Sequence, residues 1–153
     1  NYGRGCLPVK TRKDGKDLIV TFDGKGSGIT PDEFAPKLIG HTTKGELLFG
    51  YAYLPYVNYT PALLSARRPQ YDSSQGTLKV KVENFGLSTS QPAEVEVRLN
   101  DKTIAQGTVE SLEPYGVSEL ILPLSFHPDG DNLPYEVIIR SGGVEMERHT
   151  FLQ

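Results

Sequence analysis

The chain of 153 residues has no tryptophan, one cysteine (Cys6) and one methionine (Met146). A single thiol allows no intrachain disulfide and no thiolate metal cluster within the chain. Cys6 is open to use as a nucleophile, a lipid-attachment point or a link to another chain, but a buried or merely unpaired thiol is the expectation for a free cysteine. The tripeptide before it, Gly3-Arg4-Gly5, lacks the apolar run of a signal peptide. The chain begins at Asn1 rather than Met, which reads as a mature or excised piece of a longer product. Apolar runs are short, so no transmembrane segment is expected in this chain. Charge of one sign is also lacking: 16 Lys and Arg against 19 Asp and Glu leave a net charge of −3, which argues against a broad basic footprint for nucleic acid.

What the chain does have is turn-forming residues. Its 16 Gly and 11 Pro are spread along the sequence and predict many short strands rather than long helices. Leu78-Lys79-Val80-Lys81-Val82-Glu83 alternates apolar and charged residues, as a strand with one buried and one wet face requires. Asn84-Phe85-Gly86 then places two residues tolerant of positive φ where that strand must end. Glu94-Val95-Glu96-Val97-Arg98-Leu99 repeats the alternation and closes on Asn100-Asp101. Further strands are expected around Thr103–Val109 as one strand or a pair, over Val117–Leu124, over Tyr135–Arg140 and over Val144–Phe151. Ser141-Gly142-Gly143 joins the last two as a tight hairpin. Six or seven short strands with turns at intervals of about ten residues predict an all-β, immunoglobulin-like β-sandwich.

The first half is less regular. Asp17–Phe22 and Glu46–Leu54 are strand candidates, and the second is apolar on both faces, which predicts cover on both sides. Thr30-Pro31-Asp32-Glu33-Phe34 has the N-cap, proline and glutamate of a helix start, with Pro36 limiting it to about one turn. The expectation is a small β-rich N-terminal unit over residues 1–68, a sandwich over 69–153, and a linker within Arg67 to Gly76.

The succession Leu78-x-Val80-x-Val82-x-Asn84-x-Gly86, Val95-x-Val97-x-Leu99, Val109-x-x-Leu112-x-Pro114-x-Gly116 and the strand from Val117 resembles the cell-adhesion-related bacterial domains called CARDB. The resemblance covers residues 70–153. It implies an immunoglobulin-like, non-catalytic module of a secreted or surface protein, with no shared catalytic residues. Over residues 7–54, Leu18 to Asp23 with Gly26-Ser27-Gly28-Ile29, and Lys44 to Glu46 with Tyr51-Ala52-Tyr53, are similar to an accessory β-domain of sialate O-acetylesterase-like proteins. That likeness implies an attached module, since the catalytic residues of those esterases lie in a separate domain.

Candidate chemistry is sparse. Asp23-Gly24-Lys25-Gly26-Ser27-Gly28 follows a strand but has the wrong glycine spacing for a phosphate loop and no long helix after it, so a turn is expected. His41, His127 and His149 lie in separate segments, and no serine sits in a Gly-x-Ser-x-Gly elbow. Asp129 and Asp131 offer oxygen ligands for calcium, in a loop too short for an EF-hand and otherwise a solvated turn. Tyr51, Tyr53, Tyr56 and Tyr59 gather half of the chain's 8 tyrosines. They suit glycan stacking or a protein interface, and equally the packing of the N-terminal unit on the sandwich. Asn58-Tyr59-Thr60 fits a glycosylation sequon followed by Pro61. The sequence therefore predicts no enzyme and no cofactor. It predicts an interaction or structural module of an extracellular, periplasmic or cell-surface bacterial protein, with protein or glycan partners. The alternative is a carbohydrate-binding or accessory module of a glycan-processing enzyme that uses the tyrosine cluster.

Overall fold

The structure is a computed structural model and describes residues 6–31, 33–124 and 133–151. Among these residues there is no helix. The strands are β1 (Lys10–Asp14), β2 (Asp17–Thr21), β3 (Lys37–His41), β4 (Leu47–Tyr51), β5 (Leu64–Ala66), β6 (Gln70–Asp72), β7 (Thr77–Asn84), β8 (Ala93–Leu99), β9 (Lys102–Val109), β10 (Val117–Pro123), β11 (Tyr135–Ser141) and β12 (Val144–Phe151).

Alternation in β7 buries Leu78, Val80 and Val82 completely and leaves Lys79, Lys81 and Glu83 on the other face. This strand is the centre of one sheet. It pairs antiparallel with β10 on one side, where Leu120 lies opposite Val80, and with β5 and then β6 on the other. The second sheet runs β12-β11-β8-β9, antiparallel throughout. Leu64, Leu78, Val80, Val82 and Leu122 of the first sheet share one core with Val95, Val97, Tyr135, Val137, Ile139 and Phe151 of the second. Burying each of these side chains favours folding by about 1.5–3 kcal/mol.

Two hairpins turn as the sequence predicts. Gly142 and Gly143 have φ of +58° and +77°, and Asn100 and Asp101 have +51° and +61°, the left-handed pairs that two-residue hairpins need. One side of the sandwich is also clasped. The Glu147 carboxylate on β12 accepts hydrogen bonds from Ser65 Oγ at 2.6 Å and from the Ala66 N–H at 2.8 Å, so it ties the edge of β5 to the opposite sheet.

Four expectations need correction. The stretch Arg67 to Gly76 is not a plain linker: it contains β6, and the Arg67 N–H donates to Lys81 O at 2.8 Å. Strands β5 and β6 follow one another along the same edge of β7, so the sheet begins upstream of residue 69. Pro69, which has no N–H to donate, sits where the edge pairing breaks. Second, neither Asn84, Phe85 nor Gly86 has positive φ. Gly86 is there for space: a Cβ would stand 1.9 Å from Pro61 O and 2.7 Å from Ala62 Cα. Third, the described residues of the segment Thr30 to Phe34 include no helix. A single bond from the Glu33 N–H to Thr30 O, at 3.0 Å, folds it into a turn, with Asp32 outside the described residues. Fourth, β4 is not covered on both sides, because Leu48 is 53% exposed and Leu38 on its partner β3 is 46% exposed. The β3–β4 hairpin is a two-stranded sheet that reaches the sandwich through Tyr51.

Candidate functional site

The tyrosine cluster divides in two. Tyr51 meets the sandwich, and Tyr59 is held among residues of the N-terminal segment. The Tyr51 ring meets Phe85 edge-on, with centroids 4.5 Å apart, and Phe34 meets the same Phe85 ring at 6.3 Å. The Tyr59 hydroxyl donates to Phe34 O at 2.7 Å and accepts from the Leu54 N–H at 3.0 Å, which fixes its ring. The Tyr51 ring thus packs the N-terminal segment on the sandwich, and the Tyr59 ring braces that segment internally.

Tyr53 and Tyr56 point outward, at 57% and 58% exposed. The Tyr53 ring sits edge-on to Tyr59 at 4.6 Å, and its hydroxyl is 2.6 Å from the hydroxyl of Tyr115, which is 54% exposed. Tyr51, Tyr53 and Tyr59 line, with Phe34, Phe85 and Tyr115, a cleft of about 80 Å³. Tyr56 is not among its walls. The cleft is small beside the roughly 300–1,000 Å³ of ordinary small-molecule sites, and admits a single ring or methyl-sized group.

Tyr115 is the member that the sequence did not announce. It occupies the turn before β10 with φ of +63°, a region that bulky residues avoid. Its N–H donates to Asn84 O at 2.9 Å, and the Asn84 N–H donates to Gly116 O at 3.0 Å, so β7 over-determines the turn. The Asn84 side chain, fully buried, completes the knot. Its Oδ1 accepts from the N–H groups of Leu63 at 3.1 Å and Gly86 at 2.9 Å. Its Nδ2 donates to Ser88 O at 2.9 Å, Leu112 O at 3.0 Å and Glu113 O at 3.3 Å. A polar side chain of matching length thus joins three stretches of chain beneath the cleft.

Below the rings lies a charged pair, Arg67 Nη2 and Glu83 Oε2 at 2.8 Å, with the guanidinium carbon 5.6 Å from the Tyr51 ring centre. Burial, then the negative charge of Glu83, pushes the Tyr51 phenol up to about 12. The hydrogen bond to Tyr115, then burial, does the same for Tyr53, also to about 12.

A second charged cluster covers the outer face of the β12-β11-β8-β9 sheet. Glu96, 6% exposed, accepts from Thr103 Oγ1, Arg140 Nη1 at 2.8 Å and Arg98 Nε at 2.7 Å. Those bonds, led by the one from Thr103, hold its carboxyl down at about 2. Arg148 bridges Glu136 at 3.2 Å and Glu145 at 2.8 Å on the same face.

Other candidates sort plainly. Asp23 closes its glycine-rich loop as a turn, accepting from Gly26 N–H at 3.1 Å, and half-buried Cys6 lies with Sγ 3.7 Å from Asp23 O. His41 is exposed at the end of β3, whereas His149 stacks edge-on against Phe151 at 4.5 Å. His127, Asp129 and Asp131 lie outside the described residues. Among the described residues, no group of three or more His, Cys, Asp or Glu is placed to hold a metal ion. No helix among them is long and apolar enough to cross a membrane. The chain matches no family model, and neither a curated protein nor a solved structure is significantly similar to it.

Proposed function

We propose that the chain is a non-catalytic interaction module of a secreted or surface-associated bacterial protein. In this reading an immunoglobulin-like sandwich with CARDB-like patterning presents the tyrosine rim to a protein outside the cell. The observation that carries it is the Tyr53–Tyr115 pair: two tyrosines from distant parts of the chain, each more than half exposed, bring their hydroxyls to 2.6 Å, and the backbone of Tyr115 is held at φ +63°. Rigid aromatic groups with polar tips make good anchors for a partner, and a strained exposed residue on an over-determined backbone suits recognition. The strand order, β10-β7 with β5 and β6 facing β12-β11-β8-β9, supports the immunoglobulin-like reading. The buried polar side chains Asn84 and Glu96 and the Glu147 carboxylate are engaged in bonds that hold strands together, which favours a structural and binding role over chemistry.

A carbohydrate-binding or accessory role is the second reading, favoured by tyrosine rings around a cleft that would take one edge of a sugar. Binding of the purified chain to a bacterial envelope fraction separates the two. Saturable binding that weakens about tenfold or more in Tyr53→Ala and Tyr115→Ala, with melting unchanged, is expected. Its removal by protease treatment of the fraction supports a protein partner, and its removal by glycosidases favours the second reading. Equal binding by wild type and both variants overturns the assignment of the rim, and turnover in an esterase or glycosidase screen overturns the non-catalytic reading.

A further inference from the structure

The Tyr53 and Tyr115 side chains are arranged for a reaction as well as for contact. Their hydroxyl oxygens are 2.6 Å apart, so the two phenols meet at the end of the ring that carries the carbons beside each hydroxyl. Both rings are open to a diffusing oxidant, at 57% and 54% exposed. Tyr59 is equally near to Tyr53, but it stands edge-on at 80° and its hydroxyl is held by two hydrogen bonds, so its ring is not free to turn. Tyr56 is exposed but lies outside the cleft.

We infer that Tyr53 and Tyr115 form an oxidative cross-linking site, at which hydrogen peroxide, acting through a one-electron haem oxidant, joins the two rings. Each phenol gives up one electron and one proton and becomes a phenoxyl radical. The radicals combine, forming one carbon–carbon bond between the positions beside the two hydroxyls. The hydrogen on each of those carbons then leaves as a proton while each phenol oxygen regains one. The net change is the loss of two electrons and two protons from the protein and the reduction of one peroxide to two waters. The product is a covalent staple between the segment after β4 and the turn before β10, across a sequence separation of 62 residues. A cross-link over so long a loop narrows the unfolded ensemble, so the linked protein melts at a higher temperature. The inference stands on the geometry of the pair and does not depend on what the module binds.

The test is to treat the dilute chain with a haem peroxidase and hydrogen peroxide. Expected are dityrosine fluorescence, a product that stays monomeric on a denaturing gel, a mass lower by two hydrogens and a peptide linking Tyr53 to Tyr115. The unfolding midpoint rises with it. Tyr53→Phe and Tyr115→Phe should each lose the intramolecular product, and Tyr56→Phe should keep it. No product from the wild-type chain, products only between molecules, a link to Tyr59 or Tyr56 instead, or the same product in either Phe variant at the pair overturns the inference.

Discussion

Replacing Asn84 is the sharpest perturbation of this fold. Asn84→Ala leaves the N–H groups of Leu63 and Gly86 without their acceptor, and removes the Nδ2 donor from the carbonyls of Ser88, Leu112 and Glu113, of which Leu112 O keeps the Ser90 N–H and Glu113 O the Gly116 N–H. A buried N–H without a partner costs about 1–3 kcal/mol, so the two together come to about 4 kcal/mol. That is a large part of the roughly 5–15 kcal/mol that holds a domain folded. In a chain of this size it lowers the melting midpoint by about 8–16 °C. With no tryptophan in the chain, urea unfolding followed by circular dichroism or tyrosine fluorescence is the suitable assay. Asn84→Asp adds a signature that simple loss of packing cannot mimic. Its carboxyl keeps an acceptor for both N–H groups but turns toward the carbonyls, which favours the protonated form and raises the folded-state pKa above about 3.9. Stability relative to wild type is therefore highest below that value and falls as the pH rises through the folded-state pKa. A loss under about 1 kcal/mol in Asn84→Ala, or a pH-independent deficit in Asn84→Asp, would refute the reasoning.

Two further outcomes are expected. Glu96 is drawn down from 4.5 to about 2, so its contribution is present above 4.5 and is lost as the pH falls toward 2. Because the arginine partners of Glu96 are each 31% exposed on an outer sheet face, solvent screens the ion cluster from their side, and Glu96→Gln should cost about 1–2 kcal/mol near neutrality. The gap to wild type should close on acidification in urea titrations, and a gap that stays constant counts against the ion cluster. Phe85→Ala removes the ring against which Phe34 and Tyr51 pack, at a cost of about 3–5 kcal/mol. Amides of β3 and β4 should then exchange faster while β7 and β11 stay protected, and unchanged exchange in the hairpin would show that it docks by other means.

The sandwich was legible where one periodicity governed each segment. Leu78, Val80 and Val82, and again Val95 and Val97, alternate because each strand has one dry face, and Gly142-Gly143 announces its turn because few other residues take that backbone. Strands β5 and β6 were illegible because each is three residues long and they are separated by Arg67, Arg68 and Pro69, so their pairing is supplied by β7 rather than by their own pattern. Asn84 and Gly86 drew notice for a reason the structure replaces: hydrogen bonds reaching to Leu112 and Glu113, and a close approach to Pro61, leave no trace in local sequence. The site was half visible. Four clustered tyrosines stood out, but their division into packing and exposed members depends on Phe34, Phe85 and Tyr115, which only the fold brings near. An aromatic residue next to Gly116 in a turn was the one available hint of Tyr115.

The Glu147 clasp gives one margin of the sandwich a polar fastening, like the spine of a book whose fore-edge lies at the opposite margin. Along the spine, the outward N–H of Ala66 is already engaged by the carboxylate of β12, so a visiting chain finds that stretch occupied. Along the fore-edge, β9 and β10 are the last strands of their sheets. There the two sheets close on each other by apolar packing, with Leu122 of β10 so near Gly107 of β9 that a Cβ would stand 2.7 Å from it.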